Sequence, residues 1–501
     1  MSLSFAQQEN IGFRYIVDAL RCDSPYGDAR VRKLRFYAPH ERDALLADLK
    51  NICAVMDTLK PCAAEYGRIE RLMMQLKDIR RSVARCEEGP LNEVELFELK
   101  RFLLQSELIA PVFAQINAEA RLEGIEIRAQ SEALALLDLD GQHAATFFIP
   151  DAYSQTLRAV RKEKRQVEEA LRRAGSEAER APLMAERARL AAAEDEEERA
   201  VRSALSEKLR PFLTGILSCM DAIGAFDFTL ARARLAQRYG GVMPELTENT
   251  LEMEDMVNPR IADALQERKR EFTPVSIEAG KGATVITGAN MGGKSVALKT
   301  IALNALALSA GMLPFAKRAR LPLFAGIHIV SEDLENVDRG LSSFGAEIVR
   351  FNEVLAACGL GDGAGKPEGF HMILLDEFAR GTNPEEGAMI VRAVTRYLNR
   401  QNVMAVLTTH YDGVAQEASL HYEVVGLRDM DTVRVKGEIA LASPEQGADV
   451  IASHMNYGLY RVTREQGCPR DARNICRLLS LSEEILRDIE PAAESDVHNC
   501  E

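Results

Sequence analysis

The sequence predicts a multidomain α and α/β protein: a helical core with a protruding helical hairpin, then a domain built on a mostly parallel sheet. Three observations predict it. Apolar residues recur at three- and four-residue spacings through roughly the first 130 residues. A charged heptad-like seam follows. From about residue 271, short apolar runs alternate with longer helical segments, the rhythm of strands laid parallel and covered by helices.

The bulk composition allows this. A chain of 501 residues has room for roughly three domains. Hydrophobic residues make up 47% and charged residues 28%, enough of each for packed cores in water. The net charge of -14 argues against a generic nucleic-acid coat, whose phosphate binding needs clustered Lys and Arg, and leaves a local basic groove open. The nine cysteines are scattered and form no CxxC pair, so their spacing indicates neither a zinc site nor a disulfide framework. No basic segment followed by an apolar one opens the chain, and the apolar stretch Thr300 to Ala316 is short and broken by Asn304 and Pro314. The expectation is a cytoplasmic protein with no membrane segment.

Taken in order, residues 1–150 read as a helical domain with a small β segment. Leu45, Leu49, Ile52 and Met56 mark one helix, and Ser24-Pro25-Tyr26-Gly27 and Glu88-Gly89-Pro90 are breaks. Ala133 to Ile149 reads as strand, with Asp140-Gly141 as a hairpin turn. In residues 151–210, Leu157, Val160, Lys164, Val167 and Leu171 form a seam, Ala174-Gly175-Ser176 with Pro182 turns the chain, and a second charged helix runs from Leu183 to Leu209. That is a helical hairpin with arms of ~30 to 40 Å; a solvated pair of surface helices also fits the pattern. Its acidic run Glu194 to Glu198 is partly offset by Arg161 to Arg165, which is not the charge of an obvious DNA clamp. Residues 211–250 return to the helical core and 251–425 hold the sheet domain. Residues 426–501, with a hairpin at Lys436-Gly437 and an amphipathic helix from Arg470 to Glu490, are assigned to dimerisation.

The sheet domain carries the chemistry. Gly288-Ala289-Asn290-Met291-Gly292-Gly293-Lys294-Ser295 fits G-x-x-x-x-G-K-S and lies between a predicted strand and a predicted helix. Glycines let backbone N–H groups converge on phosphate oxygens, and the helix start adds its positive end. Lys294 would reach the β- and γ-phosphates of ATP, and the Ser295 hydroxyl would hold Mg²⁺, which makes this a P-loop NTPase domain. Ile373-Leu374-Leu375 then ends in Asp376, suited to the Mg²⁺ shell, and Glu377, suited to polarise the attacking water. Thr408-Thr409-His410 follows another apolar run. His410 fits a γ-phosphate sensor or water-positioning group, and a core histidine fits as well. Gly340 to Glu347 opens a helix with small hydroxyl residues, as a phosphate contact or as an ordinary cap.

In that order, TGANMGGKS, GLSSFGAEI, LLDEFARGTNPEEG and TTHYDG closely resemble the ATPase domain of MutS-family proteins. IVDALRCDSPYGDARVRKL is similar to the opening of the MutS core, and AFDFTLARARLAQRYGG to the point where the family's lever helices return to it. The resemblance implies an ABC/MutS-type ATPase acting as a homodimer, in which Gly340, Ser342 and Ser343 complete the site of the neighbouring subunit. It implies that Arg380-Gly381-Thr382-Asn383 relays between sites and that Phe272 stacks on adenine. It also implies DNA as the ligand to be clamped. The family's mismatch-reading Phe-x-Glu has no counterpart near the start, the one occurrence being Phe351-Asn352-Glu353 inside the ATPase domain. No nuclease-like extension of the kind found in the second bacterial MutS-like group is visible at the C-terminal end. The ending GLYRVTREQGCPRDARNICRLLSLSEEIL is similar to the MutS-like subunit linked to reactivation of cobalamin-dependent lysine 5,6-aminomutase, which would make the client a protein.

Overall fold

The computed structural model describes residues 3–139, 149–288, 293–331, 343–361, 369–426 and 456–462, with isolated positions 434, 435, 438, 482 and 485. The helices are α1 (Phe5–Asn10), α2 (Phe13–Ala19), α3 (Pro25–Arg32), α4 (Arg42–Thr58), α5 (Ala63–Met73), α6 (Arg80–Glu88), α7 (Glu93–Ala120), α8 (Ser131–Leu137), α9 (Gln155–Arg173), α10 (Glu177–Leu209), α11 (Leu213–Tyr239), α12 (Pro259–Glu267), α13 (Lys294–Ser309), α14 (Ser343–Ala357) and α15 (Pro384–Asn399). The strands are β1 (Glu245–Thr247), β2 (Leu251–Met256), β3 (Val275–Ala279), β4 (Gly282–Thr287), β5 (Arg318–Pro322), β6 (Gly326–Val330), β7 (His371–Asp376), β8 (Val403–Thr408), β9 (Leu420–Gly426) and β10 (Asn456–Arg461).

The chain is therefore a multidomain α and α/β protein. It divides into two compact units, and the division does not follow chain order. Leu20–Leu34 and Ala54–Ala233 form one; Met1–Ala19, Arg35–Cys53 and Arg234–Glu501 form the other.

The first unit is all helical among the described residues. Its two segments that resemble MutS core sequence meet at a buried carboxylate. Asp227 accepts hydrogen bonds from the backbone N–H groups of Asp23 (3.0 Å) and Ser24 (2.7 Å) and from the Ser24 hydroxyl (2.6 Å). The Ser24 hydroxyl in turn caps α3 at Gly27. A side chain at Gly27 would run into the Asp227 carboxylate, which explains glycine there. Burial pushes the Asp227 carboxyl up to about 6, against those three donors.

The hairpin forms from α9 and α10. Arg161 reaches Glu194, Glu198 and Asp151, and Lys164 also pairs with Glu194. The second arm begins at Glu177, not Leu183, because Ser176 accepts from Glu179 N and acids in the first turn favour a helix start there. A second departure is larger. The strand expected from Ala133 is the helix α8: in SEALALL, Ala133, Leu134 and Leu137 are buried on one helical face, and Ala and Leu favour helix. Residues 140–148, with the expected Asp140-Gly141 turn, lie outside the described residues.

The other unit holds two sheets. The larger runs β10-β9-β4-β8-β7-β6, with five parallel strands and β10 antiparallel at one edge. Expected strands β4, β7 and β8 lie side by side at its centre, and nearly every residue in them is buried. Continuous apolar sequence is what a parallel strand covered on both faces requires. The smaller sheet, β1-β5-β2-β3, is mixed and has no clear pattern in the sequence. The apolar stretch after Thr300 is the buried end of α13. The continuous helical run Glu177–Tyr239 contains a window apolar and long enough to cross a membrane, but that window is 56% buried within the protein, as in a core helix. The Lys436-Gly437 hairpin and the helix from Arg470 to Glu490 fall outside the described residues.

Candidate nucleotide site

Parallel strands end on the same side of their sheet, so β4, β7 and β8 deliver Gly288, Asp376 and Thr408 to one edge. The register makes this specific. Thr408 lies opposite Ile286 on one side and Asp376 on the other. Its hydroxyl donates to Asp376 Oδ1 at 2.7 Å, and Ser295, in the first turn of α13, donates to the same oxygen at 2.9 Å. Thr408 Oγ1 also accepts the Glu377 N–H at 2.9 Å. Two hydroxyls converging on one carboxylate oxygen form a set of hard oxygen donors, the kind Mg²⁺ takes.

Lys294 opens α13 and is almost fully buried. Its Nζ donates to Gly288 O at 2.8 Å and lies 3.3 Å from Glu377 Oε1. Burial lowers its pKa, opposed by the Glu377 and Asp376 carboxylates. Gly293 caps the helix with φ 86° and no side-chain cap, so the first-turn N–H groups have no side-chain acceptor from the cap residue. A Cβ at Gly293 would approach Tyr457 to 2.6 Å. Ala289, Asn290, Met291 and Gly292 lie outside the described residues, as do Gly340 and Ser342; Ser343 begins α14 and its side chain is not described.

Glu377 sits at φ 48° and Ala379 at φ 63°, two left-handed non-glycine residues within one turn. Such conformations cost about 1 to 3 kcal/mol each and persist only where neighbours impose them. The neighbours are visible. Glu347 of α14 accepts the Ala379 N–H at 2.9 Å, Tyr411 OH donates to Ala379 O at 2.9 Å, and Arg380 pairs with Glu377 Oε2 at 2.9 Å. Glu347 and Tyr411 were not assigned roles from sequence, although both lie inside motif segments. Their function is legible only from the strained turn they hold. If the site hydrolyses ATP, Glu347→Ala should lower the rate by about tenfold, leaving nucleotide affinity within about twofold, because it loosens the turn without touching Lys294; one lost hydrogen bond to a charged group is worth about 1.5 to 3 kcal/mol. Steady-state rates together with nucleotide titration check it, and an unchanged rate would remove the positioning role.

His410 is exposed, its ring tilted against that of Tyr411 with centroids 4.4 Å apart, so it is no core histidine. Burial of part of the ring lowers its pKa; Glu377 opposes this, and Lys294 and Arg380 add to it. Phe272 lines a cavity of about 360 Å³ together with Ile261, Leu265, Gly293, Lys294 and Tyr457. Tyr457, on the antiparallel edge strand, was missed. It stands 163 residues beyond Lys294 in a segment with no phosphate or base motif, and strand pairing brings it beside Gly293.

Residues 284–479 match the family described as MutS domain V. Over those residues the chain carries a domain similar to that of the MutS family. It is similar to proteins named Endonuclease MutS2: 30% identical over 291 residues to that of Thermomicrobium roseum (56% of this chain, 35% of the relative) and 29% over 235 residues to that of Streptococcus pneumoniae (45% and 28%). That of Pelotomaculum thermopropionicum is 29% identical over 253 residues (48% and 30%). The chain spans about a third of the length of these relatives.

Proposed function

We propose that the chain is a P-loop ATPase that binds Mg-ATP at the edge of the six-stranded sheet and hydrolyses it. The observation that carries this reading is the convergence of Ser295 and Thr408 on Asp376, beside the buried Lys294 and a cavity walled by Phe272 and Tyr457. In this reading Lys294 and the loop amides hold the phosphates and Ser295 and Asp376 hold Mg²⁺, which would neutralise charge on the phosphates. Glu377 takes the proton of the attacking water, while His410 orients that water or the γ-phosphate. Phe272 and Tyr457 face the base.

The family supports a homodimer in which Ser342 and Ser343 complete the neighbour's site. Ser342→Arg should then block hydrolysis in the neighbouring subunit and spare ATP binding by its own. Mixing this variant with Glu377→Ala protein should restore roughly a quarter to a half of parental activity through the one intact composite site. No restoration would remove the trans arrangement.

For the client, the family favours clamping of DNA. ATPase rate with and without DNA at two salt concentrations tests it, since DNA stimulation should fall steeply with salt as counterions are released. One observation favours the alternative, a remodelling factor whose client is a protein such as a cobalamin-dependent aminomutase. The hairpin cations Arg161, Lys164, Arg187 and Arg189 are paired with acids of the hairpin itself instead of forming a basic stripe. ATPase activity indifferent to DNA and stimulated by such an enzyme would select that reading.

A further inference from the structure

On the face of the large sheet covered by α14, β6 and β7 bring two histidines together. Gly326 and His328 are two residues apart and therefore share a face, and the parallel register sets Gly326 opposite His371. His328 Nε2 and His371 Nδ1 consequently lie 3.2 Å apart, with ring centroids at 5.4 Å. Glycine at 326 is what makes room: a Cβ there would meet each of those two nitrogens at 2.8 Å. Cys358, just past the end of α14, completes the group. The three ligand atoms all lie within 4.8 Å of one another, and all three residues are buried.

We propose that His328, His371 and Cys358 form a zinc-binding site with three protein ligands and a fourth position left for water, tying the end of α14 to β6 and β7. The 3.2 Å nitrogen separation is close to the edge of a tetrahedron with Zn–N bonds of about 2.0 to 2.1 Å. Imidazole and thiolate are the donors zinc prefers, and no hard carboxylate belongs to the cluster to favour Mg²⁺ or Ca²⁺. On ligation Cys358 releases its thiol proton to solvent, and the N–H shared between the rings moves to the other nitrogen of its ring. The consequence is mechanical: α14 also carries Glu347, which holds the turn behind Glu377, so the metal would anchor the far end of the helix that positions that turn.

The test uses the full chain, stripped of metal by chelator and titrated with Co²⁺ in excess Mg²⁺ so that oxygen-donor sites are occupied. About one Co²⁺ per chain should bind, with the near-ultraviolet thiolate-to-cobalt absorption that only a sulfur ligand produces, and Zn²⁺ should displace it. Cys358→Ala should abolish that absorption and weaken zinc binding by more than about 100-fold, since loss of a mere outer partner of a ligand costs about 10- to 100-fold. Cys219→Ala, at another buried thiol, should change neither. Should Cys358→Ala fail to fold, His371→Gln is read by the same zinc titration. Absence of stoichiometric binding tighter than micromolar, or a sulfur band that survives Cys358→Ala, overturns the site, and neither result bears on Mg-ATP.

Discussion

Glu377→Ala is expected to slow ATP hydrolysis by about 10²- to 10⁴-fold, the usual contribution of a positioned general base, while nucleotide binding persists. Three features support the proposed role of this carboxylate. Its N–H is fixed by Thr408, one oxygen faces Lys294 and the other Arg380, and its backbone is held in a left-handed conformation by the turn that Glu347 and Tyr411 brace. A residue with no catalytic duty has little reason to be held at such cost. Removing the carboxylate also frees Lys294 from its closest anionic partner, so affinity for ATP should hold or tighten and the variant should trap nucleotide. Single-turnover hydrolysis and equilibrium binding, measured on the same preparation, separate the two effects. Hydrolysis at the parental rate would show that another group takes the proton.

Lys294→Ala should do the reverse, weakening Mg-ATP binding by roughly 10- to 150-fold, as expected for losing a charge-assisted contact of about 1.5 to 3 kcal/mol. The side chain is 3% exposed and wedged between Gly288 O and Glu377. Its loss leaves the Asp376 and Glu377 carboxylates facing a triphosphate without the intervening cation, which adds repulsion to the missing attraction. The helix around it should remain, since every residue of α13 from Thr300 to Ser309 is buried and most of them are apolar. Fluorescent-nucleotide titration at fixed Mg²⁺ measures the loss. Parental affinity in this variant would place the phosphates elsewhere.

Much of the candidate site is legible in the sequence because each part is a local pattern. A glycine-rich loop, an apolar run ended by two acids and a run ended by Thr-Thr-His each state their chemistry within ten residues. Thr408 shows where that reading thinned: it was seen only as the neighbour of His410, yet its place opposite both Ile286 and Asp376 makes it the residue that joins Ser295, Asp376 and Glu377. Strand order β4-β8-β7 is the cause, and strand order is settled by long-range pairing. α8 failed for the opposite reason, since a short apolar run fits either period until packing chooses a face.

The amino-acid order alone specified the G-x-x-x-x-G-K-S pattern, the acid pair, the central parallel strands and the helical hairpin, all of which depend on neighbours a few positions apart. Folding in three dimensions was needed to set Tyr457 over Gly293, Glu347 behind Ala379, Asp227 beneath Ser24, and Cys358 beside two histidines that no spacing rule connects. Those groups meet because separate elements bury their faces together, and the partners of a buried face are chosen by the whole fold.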